Sequence, residues 1–174
     1  MQTNFEKSLA HVLTSEGGWS DNPADPGGAT MKGVTIAVYR QYYGATKTKT
    51  DLHNISDAEL AHIYKTGYWD KCRGDDLPAG VDYAVFDAAV NSGPGRAAKW
   101  LQGAVGATQD GIIGPDTLSK VAGLPAAQVI DKFCDQRLSF LQGLSTWKTF
   151  GNGWGRRVEE VRATAKGMAG GVAS

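Results

Sequence analysis

Two carboxylates and one hydroxyl lie close together near the N-terminus and have the residue types needed for acid–base chemistry. Glu16 precedes Gly17-Gly18, eight residues separate it from Asp25, and four more separate Asp25 from Thr30. Hydrolysis of a glycosidic bond needs one protonated carboxylic acid and a second carboxylate that directs a water or stabilises positive charge. We therefore interpret Glu16 as a candidate general acid, Asp25 as the carboxylate that orients water, and Thr30 as a hydroxyl that holds the same water.

Glu16 suits the acid role because of its predicted position. Phe5, Leu9 and Val12 form one apolar stripe of a helix, which Gly17-Gly18 ends. A glutamate at the C-terminal end of a helix meets the negative end of the helix dipole, which favours the neutral carboxyl, and apolar neighbours would disfavour the charged form further. The two glycines remove side chains beside the carboxyl group, which gives a bulky polymer room to approach.

The second carboxylate has competing interpretations. The run Asp25-Pro26-Gly27-Gly28 is good turn chemistry, so Asp25 could serve only to cap a turn. Asp21 is closer to Glu16 in the chain, but it lacks the Pro-Gly-Gly turn that follows Asp25. We therefore prefer Asp25 to Asp21 as the catalytic partner.

Four further residues are candidate substrate contacts, because sugars stack on aromatic faces and hydrogen-bond to amides and carboxylates. Trp19 stands beside Glu16 and could contact sugar or shield the acid from water. Tyr68 fits either a sugar site or the core. Asp87 and Asn91 lie one turn apart on the same side of an apolar helix and could reach an N-acetyl group, although Asn91 also suits an ordinary helix C-terminus.

The elements that must position these residues are predicted to be helices. A short strand or turn around Gly33 leads into a helix from about Ile36 to Tyr43, which Gly44 closes. Ser56 and Glu59 have capping-box spacing, and residues 81–90 leave almost no polar face, which is typical of a buried helix. We expect an all-α fold of seven or eight helices around this buried central helix, with at most a short hairpin after the catalytic loop.

Composition excludes several classes of protein. The 174 residues are 41% hydrophobic and carry 18 basic and 18 acidic side chains, and this zero formal charge argues against a protein that coats nucleic acid. No apolar run approaches the roughly 20 residues that span a bilayer. The N-terminal pattern is that of an amphipathic helix and not of a signal peptide. We therefore expect synthesis in the cytoplasm and delivery to any extracytoplasmic target by another route.

Cysteine and histidine give no sign of a metal or a cofactor. Cys72 and Cys134 lie far apart, which favours two partly buried thiols and leaves a single long-range disulfide as the alternative. The three histidines share no metal-ligand spacing. We predict neither a metal site nor a cofactor.

The run EGGWSDNPADPGGATMKGVT resembles the signature of glycoside hydrolase family 108, which comprises phage endolysins and related muramidases of the lysozyme superfamily. The resemblance continues in YWD, FDAAVNSG and GNGWGRRVEEV and so covers nearly the whole chain. The Glu–Asp–Thr arrangement is also similar to the triad of phage-type lysozymes, where the gap between Asp and Thr is usually five residues instead of four. The resemblance implies a lysozyme-like fold in which Glu16, Asp25 and Thr30 are catalytic.

The run LQGAVGATQDGIIGPDTL resembles a peptidoglycan-binding motif and implies a second region. We divide the chain into a catalytic region, residues 1–93, and a predicted peptidoglycan-binding region, residues 94–174, packed into the same compact unit because no flexible linker separates them. Five basic residues against two acidic ones after Trp147 could touch anionic lipopolysaccharide, although a solvated face is the simpler interpretation.

The activity that the resemblance implies is hydrolysis of the β-1,4 bond between N-acetylmuramic acid and N-acetylglucosamine in peptidoglycan. The protein would be a monomeric lysozyme, a bacteriolytic endolysin released through a holin pore to act in the periplasm or cell wall. One alternative is a lytic transglycosylase, which uses a single glutamate on the same bond. The other is a non-catalytic wall-binding or secretion-accessory protein, for which Glu16 would be dispensable.

Overall fold

A computed structural model describes residues 3–25 and 27–170 and is mainly α-helical, as predicted. The chain forms two compact units, Met1–Gly67 and Tyr68–Ser174. The first unit contains four helices, α1 (Asn4–Ser15), α2 (Ile36–Tyr43), α3 (Lys49–His53) and α4 (Asp57–Tyr64), and three two-residue strands, β1 (Trp19–Ser20), β2 (Thr30–Met31) and β3 (Val34–Thr35). A π-helical turn, Lys65–Trp69, follows α4.

Local capping explains where the helices of the first unit begin. The Thr3 hydroxyl accepts from the Glu6 N–H in a capping box, and Ser56 with Glu59 forms another, as the spacing predicted. The helix α2 spans the predicted range and ends at Gly44. The helix α3 was not predicted, because its segment reads as a polar connection, yet a capping box between Thr48 and Asp51 begins it.

The three strands form one small antiparallel sheet in the order β1-β2-β3. Between β1 and β2, Trp19 lies opposite Met31 and Ser20 lies opposite Thr30. Between β2 and β3, Thr30 lies opposite Thr35. The β2–β3 turn consists of Lys32 and Gly33, both with positive φ, at 48° and 83°. Such a two-residue turn matches the twist of a tight hairpin. The predicted hairpin is therefore present, and β1 adds a third strand to it.

The second unit is built on a buried helix, α5 (Val81–Ser92), as predicted. Against it pack α6 (Pro94–Val105), α8 (Ala126–Gln142) and α9 (Trp147–Ala169), and a short helix, α7 (Pro115–Ala122), packs against α6 and α8. A 3₁₀ turn, Gly74–Asp76, precedes α5. The described residues form nine α-helices, one more than the seven or eight that were predicted. None of these helices is long and apolar enough to cross a bilayer.

The two cysteines are free thiols inside the second unit. Burial raises the pKa of Cys72 to about 12 and that of Cys134 to about 11. Of the two sequence interpretations, the structure favours buried thiols over a disulfide. Trp100 is buried, whereas Trp154 is only half-buried and stacks on exposed Phe150.

Most of the basic residues of the last helix are engaged within the unit. Arg157 pairs with Asp87, Arg162 pairs with Asp131, and Lys166 also pairs with Asp131. Burial alone would raise the pKa of Asp131, but hydrogen bonds from Lys166 and Arg162 outweigh it and hold that pKa below its ordinary value. These pairs engage three of the five cations that suggested lipopolysaccharide binding, which stays a prediction.

The boundary between the two compact units follows Gly67. The division of the chain into regions 1–93 and 94–174 by function stays a prediction. The motif at residues 101–118 is held by Gln102, whose buried amide donates to Asp110 and Thr117 and accepts from the Gly111 N–H. These contacts give the turn a structural role, and wall binding by residues 94–174 stays a prediction.

Candidate active site

Glu16 lies where the sequence predicted, immediately after α1. It is the C-cap residue of that helix, with an extended backbone, and its N–H donates to the Leu13 carbonyl at 3.3 Å. The side chain is partly buried. A Cβ placed at Gly17 or Gly18 would meet nothing within 4 Å, so the chain leaves open space directly after the acid.

The tip of the β2–β3 hairpin lies against the Glu16 carboxyl group. A Cβ placed at Gly33 would be 2.8 Å from Glu16 Oε2 and 2.5 Å from Tyr64 Oη. The Tyr64 hydroxyl donates to the Lys32 carbonyl at 2.8 Å, which fixes the tip of the hairpin to the end of α4. The end of α1, the hairpin and the end of α4 thus meet at one point, and that point holds the candidate acid.

Tyr64 and Gly33 are site residues that the sequence analysis did not identify. The Tyr64 side chain is buried, at 2% exposure. Its hydroxyl group, however, reaches the space beside Glu16. No local signal marks this role, because the contact joins residues far apart in sequence. Gly33 carried a weaker signal, since a glycine in a short hairpin often has positive φ.

Asp25 lies in the exposed loop between β1 and β2 and forms a turn. Its Oδ1 accepts from the Gly27 N–H at 2.8 Å, and its carbonyl accepts from the Gly28 N–H at 3.0 Å. Pro26, which the sequence analysis included in this turn, lies outside the described residues. These contacts match the turn-capping interpretation of Asp25, and they place its exposed side chain at a fixed position in the loop.

The competing carboxylate, Asp21, forms an exposed salt bridge with Lys49 at 3.2 Å. Thr30 is partly buried in the central strand of the sheet. Trp19 lies on the edge strand, with its indole packed edge-on against the His53 ring at 4.9 Å, and it is 37% exposed. The first unit therefore holds all four residues: Glu16 at the end of α1, Trp19 and Thr30 in the sheet, and Asp25 in the loop between β1 and β2.

The other three predicted residues lie in the second unit. Tyr68 is the first residue of this unit and is partly buried. Asp87 is 1% exposed and accepts from Arg137 at 2.7 Å and from Arg157 at 3.0 Å. A buried carboxylate held by two arginines serves the packing of the unit, so Asp87 has no part in the sugar site proposed below. Asn91 is exposed at the end of the same helix.

The residues that the structure describes contain no group of three histidine, cysteine or acidic side chains arranged to hold a metal ion.

The family model of glycosyl hydrolase 108 matches residues 9–93, which include Glu16, Gly33 and Tyr64. The solved structure of Brucella abortus SagA is similar over 95% of this chain and 95% of that chain, with 45% sequence identity and a TM-score of 0.83. The chain belongs to the glycosyl hydrolase 108 family. It is accordingly a glycoside hydrolase with a mainly α, lysozyme-like fold. No curated protein matches the chain.

Membership in family 108 makes Glu16 a candidate for the acid–base chemistry of a glycoside hydrolase. Glycoside hydrolases commonly use a pair of carboxyl groups, one of which protonates the leaving oxygen. In this chain the carboxyl group that a helix end and a hairpin tip hold in place is Glu16.

Proposed function

We propose that the protein is a peptidoglycan hydrolase that cleaves the β-1,4 bond between N-acetylmuramic acid and N-acetylglucosamine, with Glu16 as its general acid. The observation that carries this proposal is the position of Glu16 at the C-terminal end of α1, against Gly33 and the Tyr64 hydroxyl. The negative end of a helix dipole favours the neutral carboxyl, which is the form that can donate a proton. The open space after Gly17 and Gly18 is consistent with a polymeric substrate.

In the proposed reaction Glu16 donates its proton to the oxygen that bridges the two sugars, and the bond from that oxygen to the anomeric carbon breaks. A water molecule, oriented by Asp25 and held by Thr30, supplies its oxygen to the anomeric carbon and its proton to the Asp25 carboxylate. Solvent then returns both groups to their starting protonation states. We infer an inverting route, since a water between two carboxyl groups needs a wider separation than direct attack. Trp19 would contact the glycan beside the acid.

Three single substitutions test these roles on purified, insoluble peptidoglycan. Glu16→Gln keeps the shape of the side chain and removes the transferable proton, and we expect the initial rate of solubilisation to fall at least about 10²-fold, the lower bound typical of acid–base catalysis. Asp25→Asn should cause a loss of similar size, whereas Asp21→Asn, which breaks only an exposed salt bridge, should stay near the wild-type rate. Wild-type clearance by Glu16→Gln would overturn the assignment and favour an accessory protein.

One observation favours a second candidate, the lytic transglycosylase. Asp25 Oδ1 accepts from the Gly27 N–H, so the turn alone is a sufficient role for this carboxylate. A transglycosylase needs one acid alone and would not use Asp25 to activate water. In that reaction the 6-oxygen of muramic acid bonds to its own anomeric carbon, the bridging oxygen leaves with the neighbouring sugar and the proton of Glu16, and the 6-hydroxyl proton returns to the Glu16 carboxylate. Mass spectrometry of the products separates the two: hydrolysis gives reducing ends, whereas transglycosylation gives 1,6-anhydro ends that are one water lighter.

A further inference from the structure

A groove in the second unit opens at the end of the buried helix. It has a volume of about 350 Å³, which is at the small end of the range for ligand pockets. Its lining comes from four helices and one connection: Asn91 and Ser92 of α5, Arg96 of α6, Phe140 and Leu141 of α8, Leu144 of the segment between α8 and α9, and Trp154 of α9. The groove thus combines aromatic faces with an amide and a guanidinium group.

The Asn91 amide in this groove has a fixed orientation. Its Oδ1 accepts from Arg137 Nη2 at 3.2 Å, and Arg137 is itself 1% exposed and held by Asp87 at 2.7 Å. An arginine is always a donor, so it binds the oxygen of the amide and not the nitrogen. The Asn91 Nδ2 group is therefore left to donate at the exposed end of the helix, where it suits an acceptor such as a carbonyl or carboxylate oxygen.

Arg96 supplies a positive charge at the same groove. Its guanidinium carbon lies 4.4 Å from the centre of the Phe140 ring, a cation–π arrangement that holds the side chain against one wall. In the described part of the chain no carboxylate neutralises this guanidinium. Its N–H groups suit a carboxylate ligand, and the half-buried Trp154, whose ring stacks on Phe150, adds an aromatic wall to the groove.

We propose that this groove binds a carboxylate-bearing, N-acetylated sugar of the cell wall, with Asn91 donating to its acetamido oxygen and Arg96 pairing with its carboxylate. N-Acetylmuramic acid carries both groups, through its acetamido and lactyl substituents. This inference rests on the proposed function, because it takes the wall glycan as the ligand. It adds a recognition site that prefers the acidic sugar to its neutral neighbour.

The test compares two soluble probes in the Glu16→Gln background, so that neither is cleaved. A muramic-acid-containing tetrasaccharide carries acetamido groups and carboxylates, whereas chitotetraose carries acetamido groups alone. In calorimetric titrations we expect the muramic tetrasaccharide to bind at least about tenfold more tightly, the value of one charge-assisted hydrogen bond. Arg96→Gln should abolish this preference, and Asn91→Asp should weaken binding of both probes by about tenfold or more.

Two charge-matched controls lie on α9 and do not line the groove, Asn152→Asp and Arg156→Gln. Both should bind each probe as the parent does. In NMR spectra the side-chain amide signals that Asn91→Asp removes should shift when the muramic tetrasaccharide is added. Equal affinity for the two probes, or parental affinity in both groove variants, would overturn the inference.

The outcomes also separate this inference from the proposed function. Preferential binding that depends on Arg96, in a protein whose wild type releases no sugar from peptidoglycan, would support the groove and refute the hydrolase. Normal hydrolysis with equal binding of the two probes would support the hydrolase and refute the groove.

Discussion

Replacing Gly33 with alanine tests whether activity depends on the place where the hairpin holds the Glu16 carboxyl group. The φ of Gly33 is +83°, and an L-residue in the left-handed region costs about 1–2 kcal/mol. The added Cβ would also lie 2.8 Å from Glu16 Oε2 and 2.5 Å from Tyr64 Oη, whereas ordinary contacts begin near 3.4 Å. At least one of these oxygens, or the hairpin itself, must therefore move by more than half an ångström.

A displacement of this size should lower the catalytic rate strongly while the protein stays folded. A misplacement of about 1 Å in a catalytic group can cost about 10²-fold, so we expect kcat/KM for Gly33→Ala to fall by about 10- to 100-fold. Gly106→Ala is the matched control, because its φ of +74° brings a similar backbone cost while its Cβ would meet nothing within 4 Å. Both variants should lose about 1–2 kcal/mol of unfolding free energy, but only Gly33→Ala should lose activity.

The assay is the initial rate of release of soluble fragments from purified peptidoglycan, corrected for the folded fraction measured by circular dichroism. A Gly33→Ala variant that is folded and cleaves within twofold of the wild-type rate would refute the reasoning. The activity would then not depend on the position that the hairpin gives to Glu16.

Three further predictions concern the second unit. Asp87→Ala leaves the buried Arg137 guanidinium without its carboxylate and should lower the free energy of unfolding by about 3–5 kcal/mol. Asp76→Ala, which breaks an exposed ion pair, should lower it by at most about 1 kcal/mol. Urea unfolding followed by tryptophan fluorescence measures both, and equal losses would show that the buried pair is not a main source of stability. Both cysteines should resist a thiol reagent at pH 8 until the protein is unfolded, and rapid labelling of the native protein would contradict their burial. The lowered pKa of Asp131 contributes stability that is full above about pH 5 and is lost as the pH falls below about 4, so Asp131→Asn should flatten this part of the stability profile, and an unchanged profile would contradict the pairing.

Local rules predicted the elements whose ends depend on their own residues. The helix α2 was predicted with its observed bounds from its closing Gly44, and the structure adds a Thr35 side-chain cap at its start. The buried helix α5 was predicted from its lack of a polar face. The position of Glu16 at the end of α1 followed from the two glycines behind it. What the sequence could not show is which distant segments meet these elements.

The surroundings of Glu16 illustrate that limit. The sequence predicts a short strand or turn around Gly33, and the structure has Gly33 in the β2–β3 turn and Tyr64 buried. The prediction does not say that this turn and the tyrosine hydroxyl lie beside the same carboxyl group. That juxtaposition depends on tertiary packing within the first unit, which no local pattern contains. The strand β1 was missed for a related reason, since two residues pair only because the hairpin lies next to them.

The two polar residues of α5 show how a charge should be interpreted in an apolar helix. Asp87 and Asn91 share one side of the helix, and the sequence analysis assigned both to the sugar. A buried carboxylate is costly unless it is paired, so its presence in an apolar helix predicts a partner arginine before it predicts a ligand. The partners here lie 50 and 70 residues away and were therefore invisible locally. Arg137, which binds the buried Asp87 carboxylate, also donates to the Asn91 oxygen. The same arginine therefore keeps Asp87 away from any ligand and orients the exposed Asn91 amide.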